Sequence, residues 1–205
     1  MTATATIDPV MIVLALGLSY VLGSIPTGLW LGRALRGIDI REHGSKNIGA
    51  TNTLRVLGKP LGAAALVGDM LKGAIPVFYF GTLTSDALLP IPLPLACGIA
   101  AILGHSFSLF LKFQGGKGVA TSAGVFFALL PIPTLIAAIV FGVTVWRTRM
   151  VSLGSILAAV TLTVVAMLSP ASFALHVIVL LVATLVIWKH RSNIGRIMRG
   201  EENKF

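Results

Sequence analysis

Three polar segments of this chain bring together glycine, hydroxyl, amide and cationic side chains at spacings suited to phosphate. The first reads GSKNIGATN over residues 44–52 and is followed by Arg55. Small residues let successive backbone amides converge on an anion. Ser45, Asn47, Thr51 and Asn52 add side-chain hydrogen bonds, and the Arg55 guanidinium can hold a phosphate through two parallel bonds. A turn-rich polar loop is the plainer reading of the same residues, because short glycine-rich runs are weak motifs. Glu42 and His43 beside it read as solvated loop residues.

The second segment runs from Gly104-His105-Ser106-Phe107 to KFQGGKG at 112–118, directly before an apolar stretch starting near Val119. Gly115, Gly116 and Gly118 expose backbone amides, and Lys117 adds a cation, at what the pattern predicts to be a helix N-terminus. That is a ready anion site. The spacing is not that of a Walker A loop, so nothing here argues for ATP hydrolysis. A basic turn flanking the membrane is the plainer alternative, and His105 alone reads as an interfacial packing residue.

The third segment, HRSNIGR at 190–196, places His190 and Asn193 three residues apart, on one face if the helix continues. Histidine titrates near neutral pH; a basic helix end snorkelling toward headgroups is the alternative. Arg149, Ser152 and Ser155 share a face in the same manner, with Ser155 a candidate substrate contact and a lipid-facing serine the plainer option. Asp69 and Lys72 form an i,i+3 pair inside an apolar run. Intramembrane charges are functional candidates by default, and a self-neutralising structural pair is the competing reading. His176 reads as structural.

The elements that position these residues are membrane helices. The chain is 56% hydrophobic and 11% charged, with mean hydropathy +0.93, whereas soluble domains carry about 25% charged residues. Several uncharged stretches exceed the roughly 18 residues that suggest a span, and in lipid every backbone amide must be bonded internally. The N-terminal MTATATIDPV lacks a basic region, so the first apolar run is expected to remain as a span rather than a cleaved signal. Cys97 lies in an apolar run and reads as a packing residue. The net charge of +9 sits in short loops between apolar runs, which fits the positive-inside rule and not nucleic-acid binding.

Residues 9–32 are uncharged and fit one span; the loop 33–59, with Arg33, Arg36, Arg41, Lys46, Arg55 and Lys59, then belongs inside and the N-terminus outside. A second span covers 61–81, the loop 82–94 with Asp86 suits the outside, and 95–111 returns inward. The prolines at 131 and 133 are expected to break the stretch 118–146 into two short helices, 119–130 and 134–146. Each would be about 18–20 Å long, short for a bilayer core of roughly 30 Å, so re-entry remains an alternative that reduces the count to five. Ser169-Pro170 divides 150–188 into spans near 150–168 and 173–188. The predicted fold is an all-α polytopic integral membrane protein in one domain, 1–205, with seven transmembrane helices, N-out and C-in, two of them short.

Taken together and in order, GSKNIGATNTLR, GHSFSLFLKFQGGKGVAT and HRSNIGRIMRGEENK resemble the acyl-phosphate-dependent glycerol-3-phosphate acyltransferase family, PlsY. Lys46 stands where relatives are expected to carry glycine. The resemblance implies transfer of an acyl group from acyl phosphate to the 1-hydroxyl of sn-glycerol 3-phosphate, giving lysophosphatidic acid and phosphate, at the cytoplasmic face of the bacterial inner membrane. It implies no cofactor, no metal and no obligate protein partner; the two substrates and the bilayer are the expected partners. By resemblance the active site comprises Ser45, Arg55, Lys117, His190 and Asn193, with Asn47, Thr51, Asn52, Gly115, Gly116, Gly118 and Ser155 lining phosphate sites. His190 or the leaving phosphate would serve as base. A membrane transporter of a phosphorylated solute is the rival class, though such proteins often show internal repeats and midplane sites, and neither is visible here.

Overall fold

The computed structural model describes residues 8–81 and 89–204. Among them all regular structure is helical. The chain packs as two compact units, one ending at Leu129 and the next beginning at Leu130. The expectations for residues 1–7 and for Asp86 lie outside the described residues.

The first unit starts with α1, Pro9–Ser24, whose N-cap Asp8 accepts the Val10 N–H at 2.9 Å while Pro9 fills a first-turn position that needs no donor. The single span expected over 9–32 is broken. Pro26 has no N–H to continue the ladder, so α1 stops and α2, Thr27–Arg36, leaves at 49°. Gly37, at φ 66°, closes α2 in the left-handed cap that glycine adopts without strain. A short helix, α3 (Ala50–Leu57), follows the first polar loop, and the 23-residue α4, Lys59–Gly81, follows that. Next come α5, Leu93–Ser106, a 3-10 turn at Leu109–Leu111, and α6, Val119–Leu129.

Helix α4 is the hub and packs against α1, α2, α3, α5 and α6, while α1 lies along α5. Small residues make these contacts close, as membrane helices require where no hydrophobic force drives them together. A Cβ on Gly23 would lie 2.6 Å from the Ala101 Cα, and one on Gly124 would lie 2.8 Å from the Met70 carbonyl carbon. Cys97 is fully buried with Ile12, Ala15, Phe80 and Leu93, as a packing residue should be.

The second unit contains α7, Pro131–Thr148, α8, Val151–Met167, α9, Phe173–Lys189, and α10, Arg191–Met198. α7 packs on α8, and α8 on α9. The short helix expected over 134–146 is corrected to 18 residues. The chain breaks at Leu130, and both prolines fall in the first turn of α7, where a missing N–H costs nothing. The short apolar helices are instead α6 and α8, with 11 and 17 residues. α9 and α10 meet at 58°. Large apolar side chains such as Val13, Phe78, Ile139, Val164 and Leu181 face outward, which water would penalise and lipid does not. Among the described residues three helices are long and apolar enough to cross a membrane, or up to five spans if each bent pair counts as one.

Candidate active site

In the first polar loop the organising residue is Asn52, which is 1% exposed. Its Oδ1 accepts the Ser45 N–H at 2.8 Å, and its Nδ2 donates to the carbonyls of Ile40 at 2.7 Å and His43 at 3.2 Å. The Asn52 amide is thus committed to shaping the loop rather than presented to a ligand. Gly44, at φ 58°, passes directly over Asn52, where a side chain would collide. Asn47 Oδ1 accepts the Gly49 N–H at 2.9 Å and so orders the residue that caps α3. Ser45 is left exposed at the loop surface, and Thr51 and Arg55, four apart on α3, are half-buried on one face. Lys46 holds φ 57°, the left-handed conformation that favours glycine. Just before the loop, Asp39 receives Arg33 at 2.7 Å and Arg41 at 2.6 Å. The Arg41 hydrogen bond outweighs desolvation and holds the Asp39 carboxyl well below the usual carboxylate range.

The glycine-rich turn is keyed to His105. The Gly116 N–H, expected to be offered to an anion, is instead committed to the His105 carbonyl at 3.0 Å. A Cβ on Gly116 would collide with the His105 imidazole, and one on Gly115 would lie 2.8 Å from the Ser106 carbonyl carbon. Glycine is required at both positions by close approach. Gly118, at φ 81°, then turns the chain into α6, and its carbonyl accepts the Ser122 N–H at 2.8 Å. Lys117 is half-buried and lies two residues before the first residue of α6, a helix end where the dipole favours an anion. Ser106 and Ser122, both buried, lie beside Gly118.

Beneath this turn the Asp69–Lys72 pair is real and buried, at 2.8 Å. Lys72 Nζ also donates to the Ile25 carbonyl at 2.6 Å, and Thr27 Oγ1 donates to Asp69 Oδ1 at 3.0 Å. His105 Nδ1 faces the same carboxylate oxygen at 3.9 Å. His105, 4% exposed, is thus an interior residue and not an interfacial one.

In the second unit, His190 is buried where α9 ends and α10 begins. The helix does not continue through it, so the shared face expected for His190 and Asn193 gives way to a cap followed by the first turn of a new helix. His190 Nδ1 lies 2.8 Å from the Val186 carbonyl. A carbonyl only accepts, so Nδ1 carries the proton, and in the neutral ring Nε2 bears the lone pair. Asn193 Nδ2 donates to Glu202 Oε1 at 2.6 Å, joined by Ser152 Oγ at 2.8 Å, while Arg196 Nε donates to Oε2 at 2.9 Å. Burial alone would raise the Glu202 pKa; the bonds from Asn193, Ser152 and Arg196 outweigh it and hold the carboxyl below its usual value. Ser155 is not part of this cluster, since its hydroxyl donates to the Val151 carbonyl at 2.9 Å. Glu202 is the anchor that the sequence reading passed over, and Ser152, named there only as part of a face with Arg149 and Ser155, is its partner. The only signal for Glu202 is that it and Glu201 are the carboxylates of a basic tail, and for Ser152 its place one turn before Ser155. Among the described residues no three His, Cys, Asp or Glu side chains gather as a metal site.

Residues 13–200 match the family model for glycerol-3-phosphate acyltransferase. A glycerol-3-phosphate acyltransferase of Fusobacterium nucleatum is 44% identical over 191 residues, covering 92% of this chain and 95% of its own. One of Trichlorobacter lovleyi is 48% identical over 187 residues, covering 91% and 94%. Among solved structures, the glycerol 3-phosphate form of PlsY (YgiH), an integral membrane glycerol 3-phosphate acyltransferase, is similar with a TM-score of 0.87 at 35% identity, over 95% of this chain and 96% of that one.

Proposed function

The chain belongs to the glycerol-3-phosphate acyltransferase family in its integral membrane PlsY form, and from that premise we propose that it transfers an acyl group from acyl phosphate to the 1-hydroxyl of sn-glycerol 3-phosphate, giving lysophosphatidic acid and phosphate. The observation that carries this reading is the glycine-rich turn itself, which sets Lys117 between Gly116 and Gly118 directly before the N-terminus of α6. Both substrates present a phosphate for which such a turn is suited.

An acyl phosphate is a mixed anhydride, already activated. The acceptor hydroxyl oxygen attacks the acyl carbonyl carbon, an ester C–O bond forms, and the bond from that carbon to the phosphate oxygen breaks with its electron pair leaving on phosphate. The hydroxyl proton passes to His190 Nε2 or to the departing phosphate. No covalent serine intermediate is needed, so catalysis rests on positioning and on stabilising developing charge. In this account Ser45, Arg55 and Lys117 engage phosphate or the oxyanion, with Asn47, Thr51 and residues 115–118 lining phosphate sites. His190 orients or deprotonates the acceptor, and Asn193 acts beside it, its amide orientation fixed by Glu202. Asn52 contributes by holding the loop, and Ser155 is the weakest of the named contacts because its hydroxyl is spent on α8.

The same account takes seven crossings from the three long helices, the two bent pairs and the two short apolar helices. The N-terminus lies outside, and Lys46, Lys117, Arg147 and the basic tail face the cytoplasm of a bacterial inner membrane. Product formation by purified protein in detergent tests the enzymatic reading. Acyl transfer proceeds without a sealed compartment, whereas transport requires one. Folded protein that yields no lysophosphatidic acid from acyl phosphate and glycerol 3-phosphate would refute it.

A further inference from the structure

The buried node on α4 is not used by the proposed transfer step, yet it reaches toward both polar loops of the first unit. Removing two charges from water is costly, and an apolar pair of similar volume is often as stable or more so. A retained pair therefore calls for a role. Lys72 meets the Ile25 carbonyl, which the break at Pro26 leaves at the C-terminal end of α1, where a cation is favoured. Thr27, at the start of α2, donates to Asp69. α2 in turn seats the first polar loop, because a Cβ on Gly28 would lie 2.7 Å from the Ile48 carbonyl oxygen and one on Gly32 would lie 2.8 Å from that of Ile38. On its other side the Asp69 carboxylate lies 3.9 Å from His105 Nδ1, a packing and charge contact longer than a hydrogen bond. The His105 ring and carbonyl are the surfaces on which Gly116 rests.

We propose that His105, oriented by the Asp69–Lys72 pair, is a positioning residue that sets the height of the 115–118 backbone and thereby the phosphate-binding geometry of that turn. The proposal rests on the acyltransferase reading. It is shape-specific, since the turn touches His105 through ring and carbonyl at once. The ring alone can be altered by substitution, while the carbonyl stays.

Three variants test it: His105→Ala, which removes the support; His105→Phe, which restores a flat ring without polar atoms; and Asp69→Asn with Lys72→Met, which removes both charges without stranding one. The KM of each substrate, kcat and detergent Tm are measured, together with the Tm rise given by inorganic phosphate. His105→Ala and the double variant are expected to raise the KM of one phosphate substrate by about 10- to 100-fold, the scale of a small misplacement. The other KM and Tm should stay near wild type and the phosphate-induced shift should be lost, with His105→Phe recovering part of the KM. Unchanged KM values in His105→Ala would overturn the proposal. So would a joint loss of kcat, both KM values and Tm, which marks a general structural role. Failure of the wild type to turn over would refute the acyltransferase reading instead, and the phosphate-induced shift would still report on the turn.

Discussion

At the scale of single residues, two side chains separate chemistry from conformation. The bond from His190 Nδ1 to the Val186 carbonyl leaves the lone pair of the neutral ring on Nε2, the atom to which the proposed mechanism assigns the proton. General-base assistance is worth about 10²–10⁴-fold, and His190→Ala should lower kcat by that factor if the ring is the base. A loss of only a few-fold would assign the proton to the leaving phosphate. Rapid quench with labelled donor and no acceptor should trap no acyl-protein in wild type or variant; a stoichiometric adduct at Ser45 that reacts on with acceptor at the turnover rate would overturn direct attack. Lys46 makes the opposite case. Its left-handed backbone costs about 1–2 kcal/mol in an L-residue, part of which glycine returns through its unfolded-state freedom. Lys46→Gly is expected to raise Tm slightly with both KM values unchanged, and a raised KM would show that the ammonium itself holds phosphate. Asn52 carries the same lesson. The sequence marks it as a polar residue in a glycine-rich loop, but only its burial and three hydrogen bonds show that it builds the loop instead of facing the ligand.

At the scale of elements, the C-terminal tail is a clamp. Glu202 fastens the segment after α10 to α8 through Ser152 and fixes Asn193 in passing. A carboxylate held below its usual pKa contributes stability that is complete above the unfolded value and is lost as pH falls through the folded one. The wild type should therefore lose more Tm than Glu202→Gln on acidification below about pH 4. At neutral pH the variant should be the less stable of the two, by about 1–3 kcal/mol for weakened bonds to a buried group. Equal acid sensitivity of the two proteins would exclude the clamp. Apolar run length made α5, α8 and α9 legible, because a span announces itself by uncharged length, and α4 was legible by its apolar content in spite of Asp69 and Lys72. Proline was legible only as an interruption. Pro26 breaks an uncharged run that composition alone joins, and Pro131 and Pro133 begin α7 where they were expected to sit in a turn, since the same ring either ends a helix or starts one. Helices α2, α3 and α10 are short and lie among basic loop residues, so no apolar length announces them. Glu202 is recruited by tertiary contacts that no local pattern records.

At the scale of the whole molecule, the proposed topology places Lys46 and Lys117 on the cytoplasmic side of the membrane. Single cysteines at 46 and 117 in a Cys97→Ser background should label from the cytoplasmic side of sealed inverted vesicles and not from the outside of intact cells; labelling from the outside alone would remove the shared face on which the mechanism relies. Each unit carries its own ordered cluster, the keyed glycine turn in the first and the Glu202 clamp beside His190 in the second. Family membership fixes the acceptor chemistry and leaves the donor as the central claim. The measurement that tests it most directly supplies purified protein in detergent with glycerol 3-phosphate and either labelled palmitoyl phosphate or labelled palmitoyl-CoA freed of acyl phosphate. Labelled lysophosphatidic acid should form from the phosphate donor alone, whereas robust turnover with the thioester and none with acyl phosphate would contradict the account.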